Sequence, residues 1–129
     1  LKYRELQASD DLERDQMKLV DKADEMSSGL TQIELRKLEL ARAMAAKPKL
    51  LISDEAMAGL SGSEIDEIIE ILFMLNERGI TIIMIEHIMR AVMRFSQRVV
   101  CLDAGKKIAE ATPEDIVKDP NVERAYLGE

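Results

Sequence analysis

Two short apolar runs, Leu50-Leu51-Ile52 and residues 80–85, each end in ionisable residues: Asp54 and Glu55 after the first, Glu86 and His87 after the second. Runs this short, one of them β-branched almost throughout, are suited to buried strands and fall far below the roughly twenty residues of a membrane-spanning helix. Between them Ile65, Ile68, Ile69, Leu72 and Leu75 recur at three and four residues, which lays one apolar stripe along a helix. Ser61 and Ser63 offer caps at its start, and Gly79 ends it. Strand, helix and strand in this order predict a right-handed βαβ unit with parallel strands, hence an α/β fold. Both strands are expected to be covered on both faces.

The flanks extend the pattern. Thr31 with Glu34 three residues later is a capping-box signature ahead of Leu35, Leu38, Ala41 and Ala45, and predicts a helix over 32–46 that Pro48 stops. Upstream, residues 2–26 carry an irregular helical pattern. Downstream, a helix over 88–95 leads to a strand over 98–102, and Asp103-Ala104-Gly105-Lys106 is turn chemistry for a hairpin with 107–111. Thr112-Pro113 and Asp119-Pro120 each pair a cap with a proline at the first helical position, giving two short closing helices.

Ligands of parallel sheets sit beyond the carboxyl ends of the strands, so Asp54, Glu55 and His87 are the pocket candidates. Two adjacent carboxylates there can divide labour, one holding Mg²⁺ through its water shell and the next polarising a water for attack on phosphate. Taken singly, each serves equally well as a turn or helix cap; together, at matching strand ends, they favour function. The net charge of −7, from 18 Lys and Arg against 25 Asp and Glu, repels phosphate backbones and argues against a nucleic-acid partner. One cysteine, Cys101, excludes an intrachain disulfide and reads as a small buried apolar residue, and 3% aromatic content leaves an aliphatic core with methionine as filler.

Several stretches resemble the C-terminal half of an ABC-transporter ATPase, in particular the ATPase subunits of branched-chain amino acid importers. They are Leu38-Glu39-Leu40-Ala41-Arg42-Ala43, Leu50-Leu51-Ile52-Ser53-Asp54-Glu55, Ala58-Gly59-Leu60-Ser61, residues 79–87, Met89-Arg90-Ala91-Val92-Met93 and Ala125-Tyr126-Leu127-Gly128-Glu129. The resemblance implies a partial P-loop NTPase-like domain with mostly parallel strands, part of a helical subdomain and a C-terminal hairpin, without the Walker A half. It divides the chain into residues 1–47, helical subdomain and signature helix, and 48–129, ATPase core with terminal helices. It implies ATP and Mg²⁺ as cofactors, Asp54 as the Walker B carboxylate, Glu55 as catalytic base, residues 58–61 with Ser61 as the D-loop, and His87 as the switch histidine.

The signature loop departs from the family. Leu30-Thr31-Gln32-Ile33-Glu34 stands where Leu-Ser-Gly-Gly-Gln is common; Thr31 and Gln32 are the positions that would meet nucleotide, while Ile33 replaces a glycine and Glu34 brings negative charge. Ala56 stands where Pro often follows the catalytic Glu. None of the six glycines starts a Gly-x-x-x-x-Gly-Lys-Ser/Thr loop, and the chain begins with Leu1. The expectation is a piece of an importer's ATP-hydrolysing subunit, inactive by itself. Its partners would be a second ATPase subunit, head to tail, and transmembrane permease subunits that hold it at the inner face of the membrane. The alternative is a non-catalytic module whose uncovered apolar faces drive a homo-oligomer. A chromosome-maintenance ATPase of the same superfamily is disfavoured by the acidic charge.

Overall fold

The computed structural model describes residues 17–22 and 26–127, which form two compact units, one up to Ile85 and one from Glu86. The helical pattern expected over 2–26 falls largely outside the described residues; within them Met17 and Leu19 are buried, and Val20–Lys22 and Ser27–Gly29 are single 3-10 turns.

In the first unit the chain runs through α1 (Gln32–Ala45), β1 (Leu50–Asp54), α2 (Gly62–Glu77) and β2 (Thr81–Ile85). The strands pair in parallel from Leu50 opposite Thr81 to Asp54 opposite Ile85. The expected stripe of α2 is buried, Ile65, Ile68, Ile69, Leu72 and Leu75 being joined by Ile71. Gly79 follows the C-cap Arg78 at φ +90°, a left-handed conformation that a side chain would oppose, and the Asn76 amide donates to the Ile80 carbonyl at 3.0 Å to steer the chain into β2. The compact units divide at Ile85/Glu86; the boundary at 47/48 expected from the resemblance falls within the first of them.

One expectation is corrected. Along β1 only Leu51 and Ser53 are buried; Leu50 and Ile52 are 48% and 58% exposed, and Ile83 and Ile85 of β2 are 48% and 49% exposed. The strands are therefore covered on one face, not two. An all-apolar strand sequence is the pattern of a sheet with layers on both sides, and among the described residues of this unit nothing lies over the second face.

Both long helices are closed by the same device. The Thr31 hydroxyl accepts from the Glu34 N–H at 3.4 Å while Glu34 Oε2 accepts from the Thr31 N–H at 2.8 Å. The Ser61 hydroxyl and Glu64 repeat the arrangement at 3.4 and 2.7 Å. Hydrogen bonds from the cap backbone, then from the cap hydroxyl, hold both carboxyls below the usual carboxylate value. A depressed folded-state value contributes stability above the ordinary carboxylate range and loses it as pH falls through the folded value. The thermal midpoint should accordingly drop between about pH 5 and pH 3. The double variant Glu34→Gln/Glu64→Gln, which keeps both boxes but cannot titrate, should flatten part of that acid slope. An unchanged slope in the variant would assign the acid sensitivity to other carboxylates.

The second unit holds α3 (Met89–Phe95), the antiparallel pair β3 (Val99–Asp103) and β4 (Lys106–Ala111), then α4 (Pro113–Ile116), α5 (Pro120–Val122) and a π turn over Glu123–Leu127. The hairpin turn has positive φ at both central residues, Ala104 at +46° and Gly105 at +77°, the twist that suits two-residue connections. Glu110 pairs with Arg98 and Lys107, each at 2.8 Å, and the Tyr126 hydroxyl donates to the Leu102 carbonyl. Proline begins both closing helices, and the Asp119 carboxylate caps the second by accepting from the Asn121 and Val122 N–H groups at 2.8 and 3.4 Å. Cys101 is half-buried rather than fully buried, its thiol pushed up by burial and by the charge of Asp119. Its neighbours Val100 and Leu102 are 46% and 55% exposed.

Candidate functional site

The parallel pairing of β1 with β2 places Asp54 at the last register position of the sheet, opposite Ile85. The next residue leaves the sheet abruptly. Glu55 takes φ +46°, and its N–H still donates to the Ile85 carbonyl at 2.9 Å. For a non-glycine residue this left-handed conformation costs about 1 kcal/mol. Both carboxylate residues are exposed, so the two acids stand consecutively at the carboxyl end of a parallel sheet and reach solvent.

The loop beyond them is held by Met57, which is fully buried, and by two long backbone bonds, Ala58 N–H to the Glu55 carbonyl at 3.3 Å and Leu60 N–H to the Met57 carbonyl at 3.2 Å. Gly59 has φ +79°, and the Gln32 side-chain oxygen lies 2.8 Å from the point a Cβ would occupy there. The positive φ favours glycine there, and a side chain would in addition displace the end of Gln32. Gln32, at the first position of α1, thus meets the loop of the acids directly. Thr31 is the N-cap of α1, and its amide and hydroxyl are both engaged with Glu34, at 2.8 and 3.0 Å. Ser61 is the N-cap of α2, where its hydroxyl also lies 3.3 Å from that of Ser63.

His87 is exposed and lies two residues beyond β2, in the stretch leading to the α3 N-cap Ile88, within the second compact unit. Asp54, Glu55, Gln32, Thr31 and Ser61 thus all belong to the first unit, at the end of β1 and at the starts of α1 and α2.

A cleft of about 230 Å³ opens beside β1, lined by Arg36, Glu39, Leu40 and Ala43 of α1 and by Leu51 to Asp54, Ala56 and Ile68. Its lining is mostly apolar, and Arg36 and Glu39 within it form an ion pair at 3.0 Å. Sequence reasoning missed Arg36, Glu39 and the buried Ser53. The signal for Ser53 was a small hydroxyl inside an otherwise apolar run, directly before the acids.

The comparisons with known proteins agree with this architecture. Residues 106–129 match the family model described as a branched-chain amino acid ATP-binding cassette transporter. The high-affinity branched-chain amino acid transport ATP-binding protein LivG of Escherichia coli is 41% identical over 112 residues, 86% of this chain and 44% of LivG. BraF of Pseudomonas aeruginosa, which bears the same description, is 36% identical over 116 residues, 89% of this chain and 46% of BraF. The crystal structure of an ATP-binding cassette of an ABC transporter in its ADP conformation superposes with a TM-score of 0.83 at 25% identity, over 99% of this chain and 49% of that one. A nucleotide-free cassette gives 0.84 at 25% identity, over 92% of this chain and 48% of the other. The chain spans about half the length of the relatives it matches. A parallel βαβ unit with two acids at its carboxyl edge, a capped helix before it, an antiparallel hairpin later in the chain and these likenesses together make the chain a member of the ABC-transporter ATP-binding family, matching the C-terminal half of the branched-chain amino acid type.

Proposed function

We propose that the chain supplies the hydrolytic edge of an importer's ATP-binding subunit, with branched-chain amino acids as the transported class. The observation that carries this reading is the pair Asp54 and Glu55, exposed and consecutive at the end of a parallel strand, with Glu55 held in a left-handed backbone conformation. Strain at a ligand-facing position is retained where the side chain must point in one direction.

The donor set fits a magnesium ion bound mainly through its own waters and the substrate's phosphates. Among the described residues no three His, Cys, Asp or Glu side chains gather as a closed cage, and Asp54 is a single exposed carboxylate. When bound, the ion neutralises charge developing on the phosphate oxygens of ATP. Asp54 would hold the ion's water shell. Glu55 would accept a proton from the attacking water, and His87 would contact the terminal phosphate. Thr31, Gln32 and Ser61 would meet nucleotide across a head-to-tail pair of ATPase subunits; Thr31 can do so only if Glu34 releases its amide and hydroxyl. Among the described residues no helix is long and apolar enough to cross a membrane, so the membrane association we propose runs through permease subunits at its cytoplasmic face.

A hybrid cassette tests this reading: the chain replaces the matching segment of a branched-chain importer relative, and ATP hydrolysis is followed against magnesium concentration. Turnover is expected, with Asp54→Asn shifting the magnesium dependence upward by about tenfold or more. A folded hybrid without turnover, or an Asp54→Asn variant with unaltered magnesium dependence, would overturn it. The apolar outer face of Leu50, Ile52, Ile83 and Ile85 favours a second reading, a non-catalytic module that self-associates. Sedimentation of the dilute chain as a folded monomer would exclude that alternative.

A further inference from the structure

Strand β1 is paired along one edge only. The Thr81 N–H donates to the Lys49 carbonyl and the Glu55 N–H to the Ile85 carbonyl, both at 2.9 Å, so in this parallel ladder residues 49, 51, 53 and 55 are the ones that bond β2. The N–H and C=O groups of Leu50, Ile52 and Asp54 therefore face the opposite edge, where the sheet ends and no described residue bonds them. Backbone groups left in a row at an edge are a template for another strand.

The cleft beside β1 lies along that edge. It is walled by Leu40 and Ala43 of α1 and by Ile68 of α2, and its volume of about 230 Å³ is below the roughly 300–1,000 Å³ of small-molecule pockets, the scale of side chains rather than of a metabolite. Ser53, on the inner face of β1 and 6% exposed, lines it, and its hydroxyl makes no hydrogen bond to a described residue. On the other face Leu50 and Ile52 are half exposed beside Ile83 and Ile85. Water satisfies the edge groups but leaves this apolar face uncovered, and lipid covers the face but leaves the edge groups unbonded; an extended polypeptide does both. The ends of the edge differ in charge. Lys49 is exposed at its start, Asp54 and Glu55 at its finish.

We infer that the free edge of β1 is a docking site for an extended segment of a partner polypeptide, which pairs its backbone with Leu50, Ile52 and Asp54. Side chains alternate across such a strand. Small hydroxyl-bearing residues enter the cleft beside Ser53, β-branched apolar residues extend the face of Leu50 and Ile52, and the segment carries an acid near Lys49 and a base near Asp54 and Glu55. This docking holds whether or not the two acids serve magnesium and ATP.

Titration of the acetylated, amidated heptapeptide Glu-Val-Thr-Val-Thr-Val-Lys into the full isotope-labelled chain, followed by amide resonances, tests it. The amide protons of Ile52 and Asp54 should move downfield as they gain carbonyl partners, while those of Leu51, Ser53 and Glu55, already bonded to β2, move little. N-methylation of the peptide's interior residues should weaken binding about tenfold or more, the equivalent of at least one net hydrogen bond. Replacing its lysine by glutamate should weaken binding roughly two- to fivefold at low salt. Ala43→Phe, which fills the cleft, should abolish the shifts; if that variant does not fold, the N-methylated peptide carries the test. Absent shifts at Ile52 and Asp54 with millimolar peptide, equal shifts at edge and bonded amides, or binding unweakened by N-methylation, by loss of the lysine or by Ala43→Phe would overturn the inference. So would edge shifts that grow with protein concentration alone, which would assign the edge to a second copy of the chain. An inactive hybrid cassette that leaves the peptide shifts in place would overturn only the nucleotide reading.

Discussion

Leu72→Ala is expected to lower the unfolding free energy by about 2–5 kcal/mol, as a buried leucine truncation leaves both lost transfer energy and a cavity. Leu72 is fully buried in the middle of the α2 stripe, between Ile68 and Ile69 on one side and Leu75 on the other. That stripe and α1 supply most of the buried apolar side chains of the first unit, and the chain has only two Phe, two Tyr and no Trp with which to refill a void. Branched aliphatic neighbours have few rotamers with which to collapse into the space. Against the about 5–15 kcal/mol that a domain holds in total, such a loss should move the urea midpoint to a clearly lower concentration. Urea denaturation with circular dichroism measures it. Ile52→Ala, on the outer face of β1, should cost about 0.5 kcal/mol or less because the side chain is already exposed. Equal losses at the two positions would mean that the outer face is covered in solution, contrary to the one-sided sheet.

The contrast between those two residues marks where sequence reasoning reaches and where it stops. Ile52 and Leu72 are indistinguishable by hydropathy, and periodicity correctly put Leu72 on a buried helix stripe. It also put Ile52 in a doubly covered strand, since an unbroken apolar run records the layers a strand is built to meet, not the ones this chain supplies. The capping boxes at Thr31 and Ser61 were legible for a simpler reason: a hydroxyl and a carboxylate three residues apart interact within a single turn, independent of tertiary context. The hairpin at 103–106 was legible in the same local way.

Long-range relations left weaker traces. Nothing in the spacing links Lys37 to Glu67, because a thirty-residue separation has no period; only a lysine beside Leu38 in a helix with a buried stripe hints at a paired charge. Gln32 against Gly59 was equally hidden, although both residues had been singled out for other reasons. Of the acids, the position of Asp54 at the strand end followed from the run before it, whereas the left-handed turn at Glu55 did not, since glutamate has no preference for that conformation.

That turn makes Glu55→Gln the sharpest test of the chemistry proposed for the site. In the hybrid cassette it should reduce ATP turnover roughly a hundredfold or more, the lower end of what a positioned general base supplies. Gln has the same length and the same branching at its tip, so Asp54, the backbone bond from residue 55 to the Ile85 carbonyl and the buried Met57 should all stay in place. What is removed is the ability to accept a proton from the attacking water. The loss should therefore fall on kcat, with KM for ATP changed little, as expected for an interaction made only in the transition state. Glu55→Ala should do the same to kcat while leaving the left-handed backbone, which alanine tolerates no better than glutamate. If Glu55→Gln leaves turnover within about threefold of the parent, Glu55 is not the base, and its conformation serves only to turn the chain from β1 into the loop. If KM rises instead while kcat holds, the carboxylate contributes to binding the magnesium-bound substrate, and the division of labour between the two acids would have to be reversed, with Asp54 nearest the reacting water.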